Sequence, residues 1–338
     1  MKKFVVVAVF FAFIGCFVQQ GHAEEKTYRV EVLQVTSIDP FDRAFKGFMG
    51  ELARNGLVEG KNLKVNKRVI DFDVEKGGLW KKVGVLMSIK SQASEIVAAK
   101  PDLVLTIGTP ATKYAKDKIV SAGIPLVFTA VAYPKAAGCS SLSEAGKGFT
   151  GSTLWMDVKG ILQITKLAFP AVKTVGIVHT DDENAVAAVE DVKKTAPALG
   201  MTSVSKEINK KDSITPALNA LQAQGAQLFI VPLDSYYGMR DYEPCHQLGD
   251  FSIKHKIPAV SFTLLKVPGA ILYIGADFVN IGSYAGKQAV RILKEGAMPE
   301  SLPIMRQDEL KILVDTKRMQ ALGIKLPIEI LQLAKPVE

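Results

Sequence analysis

Lys100-Pro101-Asp102-Leu103-Val104-Leu105-Thr106-Ile107-Gly108-Thr109-Pro110 reads as a strand that ends on a turn and opens a helix. The apolar run is unbroken, as in a strand covered on both faces, and Gly108 and Pro110 punctuate its end. The same order returns in the second half of the chain. Gly225-Ala226-Gln227-Leu228-Phe229-Ile230 matches Lys100-Pro101-Asp102-Leu103-Val104-Leu105, and Lys256-Ile257-Pro258-Ala259-Val260 matches Gly123-Ile124-Pro125-Leu126-Val127. Repeated strand–helix alternation implies parallel sheets wrapped by helices with right-handed crossovers. Two copies predict an α/β fold of two Rossmann-like lobes, each with its own sheet.

Working outward, Tyr28–Val35 and Leu63–Val69 read as strands. A helix from Asp39-Pro40 stops at Asn55-Gly56, and a second amphipathic helix spans Leu79–Ala99. In the second half, strands fall at Thr174–His179, Met201–Ile208 and Gln227–Val231, with helices at Ala185–Leu199 and Ile214–Gln224. Three segments are expected to join the lobes. Lys147–Gly151 leaves the first, Tyr273–Phe278 returns ahead of a helix at Gly282–Leu293, and Leu310–Val314 crosses back. The expected first lobe is 28–147 with 277–305, and the second is 148–276 with 306–330. A three-segment hinge permits one main opening motion.

The chain has 338 residues, more than one ordinary domain needs and enough for two. Lys2 and Lys3, the apolar run Phe4–Val18 and Gly21-His22-Ala23 make a secretory leader, cleaved after Ala23. The run is about 15 residues, short of the ~20 a membrane-spanning helix needs. Phe13-Ile14-Gly15-Cys16 leaves a lipid-anchored alternative open, with Cys16 as the modified residue. The formal charge of +8 includes Lys2 and Lys3, and the basic residues are spread along the chain rather than clustered. That distribution suits a solvated surface and not a nucleic-acid partner. Export makes a Cys139–Cys245 bridge chemically possible, and the sequence leaves their pairing open.

Ligands of open parallel sheets bind beyond the carboxyl ends of the strands. The loops that follow the strands are therefore the site candidates: Ser37-Ile38-Asp39; Gly108-Thr109-Pro110-Ala111-Thr112; Thr129-Ala130-Val131; Thr180-Asp181-Asp182-Glu183-Asn184; Asp234-Ser235-Tyr236; Ser261-Phe262; and Gly275-Ala276-Asp277 on the returning segment. Thr109 and Pro110 open a helix whose positive end suits a carboxylate. Asp234 or Asp277 would take an ammonium group, which compensates a buried carboxylate. Aromatic walls could come from Phe41, Tyr133, Trp155, Tyr236, Tyr237 or Phe262.

No G-x-G-x-x-G follows the first strand, and no G-x-S-x-G elbow occurs. Cys245, His246 and His255 match no zinc spacing, and His179 has no visible nucleophile beside it. No cofactor, metal or catalytic role is expected.

An ordered series of motifs resembles the substrate-binding proteins of the tryptophan/tyrosine ABC-importer family over roughly 28–327. These are Phe45-Lys46-Gly47-Phe48, Leu57-Val58-Glu59-Gly60-Lys61-Asn62, Gly108-Thr109-Pro110-Ala111, Ile124-Pro125-Leu126-Val127-Phe128-Thr129-Ala130-Val131, Val231-Pro232-Leu233-Asp234-Ser235 and Ala321-Leu322-Gly323-Ile324. The resemblance implies a type I periplasmic-binding-protein fold, a small amino-acid-like ligand in the cleft, a periplasmic monomer, and an ABC permease with its ATPase as partner. A sensory module feeding a membrane receptor would have the same cleft. The chain departs from the family pattern at Ile38-Asp39-Pro40, Val131-Ala132-Tyr133-Pro134 and Asp181-Asp182-Glu183-Asn184. Those positions are implied to face the ligand, so its identity does not carry over.

Overall fold

The computed structural model describes residues 26–71, 79–264 and 268–337. The expected leader and Cys16 lie outside them.

In the first half, β1 (Tyr28–Val35), β2 (Leu63–Ile70), β3 (Leu103–Ile107), β4 (Leu126–Val131) and β5 (Phe149–Thr153) alternate with α1 (Asp39–Arg54), α2 (Leu79–Ala99) and α3 (Thr109–Ser121). After α4 (Val158–Ala168) come β6 (Thr174–His179), α5 (Glu183–Thr195), β7 (Thr202–Glu207), α6 (Thr215–Ala223), β8 (Leu228–Val231), α7 (Glu243–His255), β9 (Ala259–Ser261) and β10 (Leu272–Gly275). The chain closes with α8 (Phe278–Glu295), β11 (Met305–Arg306), β12 (Lys311–Val314), α9 (Thr316–Leu322), α10 (Ile328–Leu333) and β13 (Lys335–Pro336).

Two sheets result, ordered β11-β5-β4-β3-β1-β2 and β13-β12-β10-β9-β8-β6-β7. The central order β2-β1-β3-β4 of the first equals β7-β6-β8-β9 of the second, which is the duplication read from the sequence. Strand pairs are parallel except β10 with β12. The carboxyl ends of β1–β5 in the first sheet, and of β6–β10 in the second, therefore point the same way within each lobe, and the two rows of ends bound the cleft. Apolar residues of the central strands are almost wholly buried, Leu103, Val104 and Leu105 among them. Their loss from water at roughly 25 cal/mol per Å² is the main favourable term.

The crossing segments differ from expectation at two points. Phe149–Thr153 does not leave the first lobe. It pairs in parallel with β4, and the chain crosses only after Thr153. Thr150 and Thr153 hide their hydroxyls by donating to the carbonyls of Leu302 and Val131, so a polar stretch sits in the sheet. The returning helix starts at Phe278 rather than Gly282, because Asp277 caps it. α8 then lies along α1. An added Cβ at Gly282 would stand 1.8 Å from the Ala44 carbonyl oxygen, so only glycine permits this backbone-to-backbone approach. Cys139 and Cys245 are both buried free thiols.

Candidate ligand-binding site

The strand ends of the two lobes enclose a cavity of about 710 Å³, within the roughly 300–1,000 Å³ of small-molecule sites.

The first-lobe wall is largely apolar. β1 ends at Val35, and the chain turns through Thr36, a non-glycine residue at φ 73°. Ile38, Pro40 and Phe41 follow at the start of α1, and Leu86 and Ile89 come from α2. β3 ends on Gly108 at φ 89°, and a Cβ there would lie 3.0 Å from the Phe41 ring. Glycine thus lets the ring rest on the turn. Thr109 and Pro110 open α3 against the cavity, so the helix presents its positive end there. Near the end of β4, where its register with β5 shifts, Ala130 is another non-glycine in the left-handed region at φ 56°. Such conformations cost of order 1–3 kcal/mol and cluster at functional sites.

The second-lobe wall is polar. Asp234 follows β8 and is buried, and its carboxylate accepts from the Thr180 N–H at 2.7 Å, the Thr180 hydroxyl at 3.0 Å and the Tyr236 N–H at 2.9 Å. Burial, with the Asp182 carboxylate nearby, pushes the Asp234 carboxyl up to about 6. Asp182 caps α5 through the Asn184 N–H at 3.0 Å and accepts from the Ser235 hydroxyl at 3.0 Å. Lys210, in the loop after β7, donates to Ser235 Oγ at 2.9 Å and stands 3.7 Å from Asp182 Oδ2.

Among the described residues, side-chain contacts bridge the lobes around the cavity. Thr109 donates to Asn184 Oδ1 at 3.0 Å, Lys113 pairs with Glu183 at 2.6 Å, Tyr242 donates to Asp39 Oδ2 at 3.1 Å, and Tyr133 donates to Asp191 Oδ2 at 3.0 Å. They tie the two rims of the cleft together.

Of the residues singled out in the sequence, Thr109, Pro110, Ala130, Glu183, Asn184, Asp234 and Ser235 line the cavity. Others are placed elsewhere. Ala111 is in the core, and the Thr112 hydroxyl donates to the Gly108 carbonyl at 2.9 Å. Thr129 alternates with Ala130 on β4, and its hydroxyl accepts from Ser152 at 3.1 Å behind the wall. Thr180 positions Asp234 rather than facing the cavity. Asp39 sits at the rim, paired with Arg43 at 2.7 Å. Asp277 accepts from the Val279 and Asn280 N–H groups at 2.8 and 3.1 Å, which accounts for it as a cap. Phe41 and Tyr237 line the cavity, whereas Tyr133, Trp155, Tyr236 and Phe262 do not. The Tyr236 hydroxyl donates to the Asp212 carbonyl at 2.8 Å. His179 lies 2.9 Å through Nδ1 from the Thr180 carbonyl. The sequence reading missed Tyr114, Tyr242, Lys210 and the α2 residues. Tyr114 had a usable signal, since it lies one helical turn beyond Pro110 on the same face.

Among the described residues no group of three His, Cys, Asp or Glu is placed to hold a metal ion, and no helix is long and apolar enough to cross a membrane.

A family model described as ABC transporter substrate binding protein matches residues 29–338. The tyrosine-binding protein of Clostridioides difficile (strain R20291) is 25% identical over 304 residues, 89% of this chain and 82% of that protein. A conserved domain protein from Vibrio cholerae superposes with a TM-score of 0.76 at 26% identity, covering 93% of this chain and 100% of that one. The ABC domain from Streptococcus pneumonia, solved in complex with L-Trp, gives 0.76 at 23% identity over 93% and 100% of the two chains.

Proposed function

This chain belongs to the ABC transporter substrate-binding protein family, and from that membership we propose that it is the extracytoplasmic receptor of an importer for a small amino acid or a close analogue. The observation that carries the reading is the asymmetry of the cavity, with an apolar wall on one lobe and a carboxylate-rich wall on the other. A zwitterion with an apolar side chain fits both. Its carboxylate goes to the positive end of α3, its ammonium to the side of Asp182 and Asp234, and its side chain against Phe41, Tyr114 and Ile89. The tyrosine-binding relative and the neighbour solved with L-Trp support this ligand class.

The ligand bridges the lobes, favours the closed form, and is handed unchanged to a permease that reads closure. The lobes divide as 28–153 with 277–306, and 154–276 with 307–336, in keeping with the strand pairing. We place the protein outside the cytoplasmic membrane after loss of residues 1–23, with lipid attachment at Cys16 as the alternative to a free form.

Thermal-shift screening against the L-amino acids and their analogues tests the reading. Ligand at a hundred times its Kd stabilises by about 2.7 kcal/mol. Calorimetry then fixes the affinity, and mass spectrometry should recover the ligand unaltered. A panel without a single binder would overturn the proposal. Uptake by vesicles carrying the permease and its ATPase tests delivery separately.

A further inference from the structure

We infer that Gln34 is a positioning residue for the ligand wall: its side-chain amide clamps the strained Thr36 turn and so aims the entry of α1 into the cleft. The inference rests on the receptor reading above and deepens it, by naming a residue that acts on the site from behind the wall.

Gln34 lies near the end of β1, between Val69 of β2 and Ile107 of β3. It is fully buried, and its Nε2 donates to the Thr36 carbonyl at 2.9 Å. Among the described residues its Oε1 meets no donor, although that atom is buried too. A buried acceptor left unmet is costly, and a methionine or leucine would fill similar space without that cost. Packing therefore does not account for a glutamine here, whereas the donor on Nε2 does.

Thr36 is β-branched and sits at φ 73°, a region such residues rarely enter. Strained conformations persist only where the surroundings over-determine them. Both backbone groups of Thr36 are tied: its N–H donates to the Ile70 carbonyl at 2.9 Å, and its C=O accepts from the Gln34 amide. The entry of α1 depends on this turn, because Ile38 offers no side-chain cap to fix it. Thr36, Ile38, Pro40 and Phe41 all line the cavity. Phe41 rests on Gly108, and Ile38 faces Gly238 of the second lobe, where an added Cβ would stand 3.6 Å from it. The body of α1 is fixed by α8, so slack in the turn falls on these first residues. A turn free to relax toward negative φ would re-aim both the apolar wall and its contact across the cleft.

The test is a double-substitution cycle, read by calorimetry with L-tyrosine and L-tryptophan, on wild type, Gln34→Met, Thr36→Gly and the two combined. Gln34→Met removes the donor at similar length and is expected to weaken binding about tenfold, ~1.4 kcal/mol. Glycine adopts positive φ without strain, so it makes the clamp dispensable. In the Thr36→Gly background the same substitution should change affinity by less than about threefold. Gln34→Leu repeats the cycle should the methionine variant fail to fold. Equal loss in both backgrounds would mean that Gln34 acts by packing alone, and no loss in folded Gln34→Met would mean that it does not act on the site; either result overturns the inference. Hydrogen exchange supplies a readout that needs no ligand. In Gln34→Met it should quicken at the amides of Thr36, Phe41 and Asp42, which donate to the Ile70 and Ile38 carbonyls, while the amides of β3 keep wild-type rates. Wild-type exchange at all of them overturns the inference as well. If wild type binds no α-amino acid, the receptor reading fails, and the exchange measurement still decides whether Gln34 holds the turn.

Discussion

Asp234 joins the stability of the second lobe to the charge of the cleft. Its carboxyl is raised from 3.8 to about 6 by burial and by Asp182. A raised acid favours its protonated form in the folded protein, so its stabilising contribution is complete below the ordinary value and is lost as pH rises through about 6. Thermal melts between about pH 4 and 7 should show this decline in wild type and lack it in Asp234→Asn. Ammonium binding should run in the opposite direction, because it needs the ionised carboxylate. Calorimetry with a bound amino acid should give weaker affinity at about pH 5 than at about pH 7.5. The sequence made Asp234 legible because it follows a buried strand directly. It could not separate Asp234 from Asp277, since an aspartate ahead of a helix looks the same whether it caps or binds. Lys210 had no signal at all. It lies in Asn209-Lys210-Lys211-Asp212, which reads as ordinary surface.

α1 and α8 approach each other backbone to backbone. A Cβ on Gly282 would lie 1.8 Å from the Ala44 oxygen, and one on Gly47 2.0 Å from the Val279 oxygen. Neither obstacle is a side chain that could rotate away. Gly282→Ala or Gly47→Ala should cost about 3 kcal/mol or more, read as a lowered midpoint in urea unfolding. Asp277→Ala should cost about 1 kcal/mol through loss of the α8 cap. Its melting temperature should fall while amino-acid affinity stays the same, and a large loss of affinity would return Asp277 to the binding site. The central strands and helices were readable because hydrophobic period and Gly–Pro punctuation are local signals. β5 was not readable. Phe149-Thr150-Gly151-Ser152-Thr153 has one apolar side chain, and its burial is imposed by β4 and β11 on either side.

Closure of the two lobes depends on a small set of contacts with little energy each. Lys113 and Glu183 are partly exposed, so their ion pair contributes at most about 1 kcal/mol. Lys113→Ala should shift the closed population by no more than about fivefold. Small-angle scattering should record a modest rise in radius of gyration, and raised salt should reproduce it in wild type. The twofold repetition of the chain was visible in its sequence because matching segments recur in matching order. The rim contacts were not, since Asp39 and Tyr242 or Thr109 and Asn184 meet only after both sheets have formed.

The three crossings also govern when the protein can become itself. The first sheet gains its outer strand only when Met305–Arg306 pairs with β5, and α1 is covered only when α8 arrives. During synthesis the amino-terminal half therefore emerges without its covering helix and stays loosely organised until nearly the whole polypeptide has left the ribosome. Under the export proposed above, late completion of this kind would keep the chain threadable for a secretion channel.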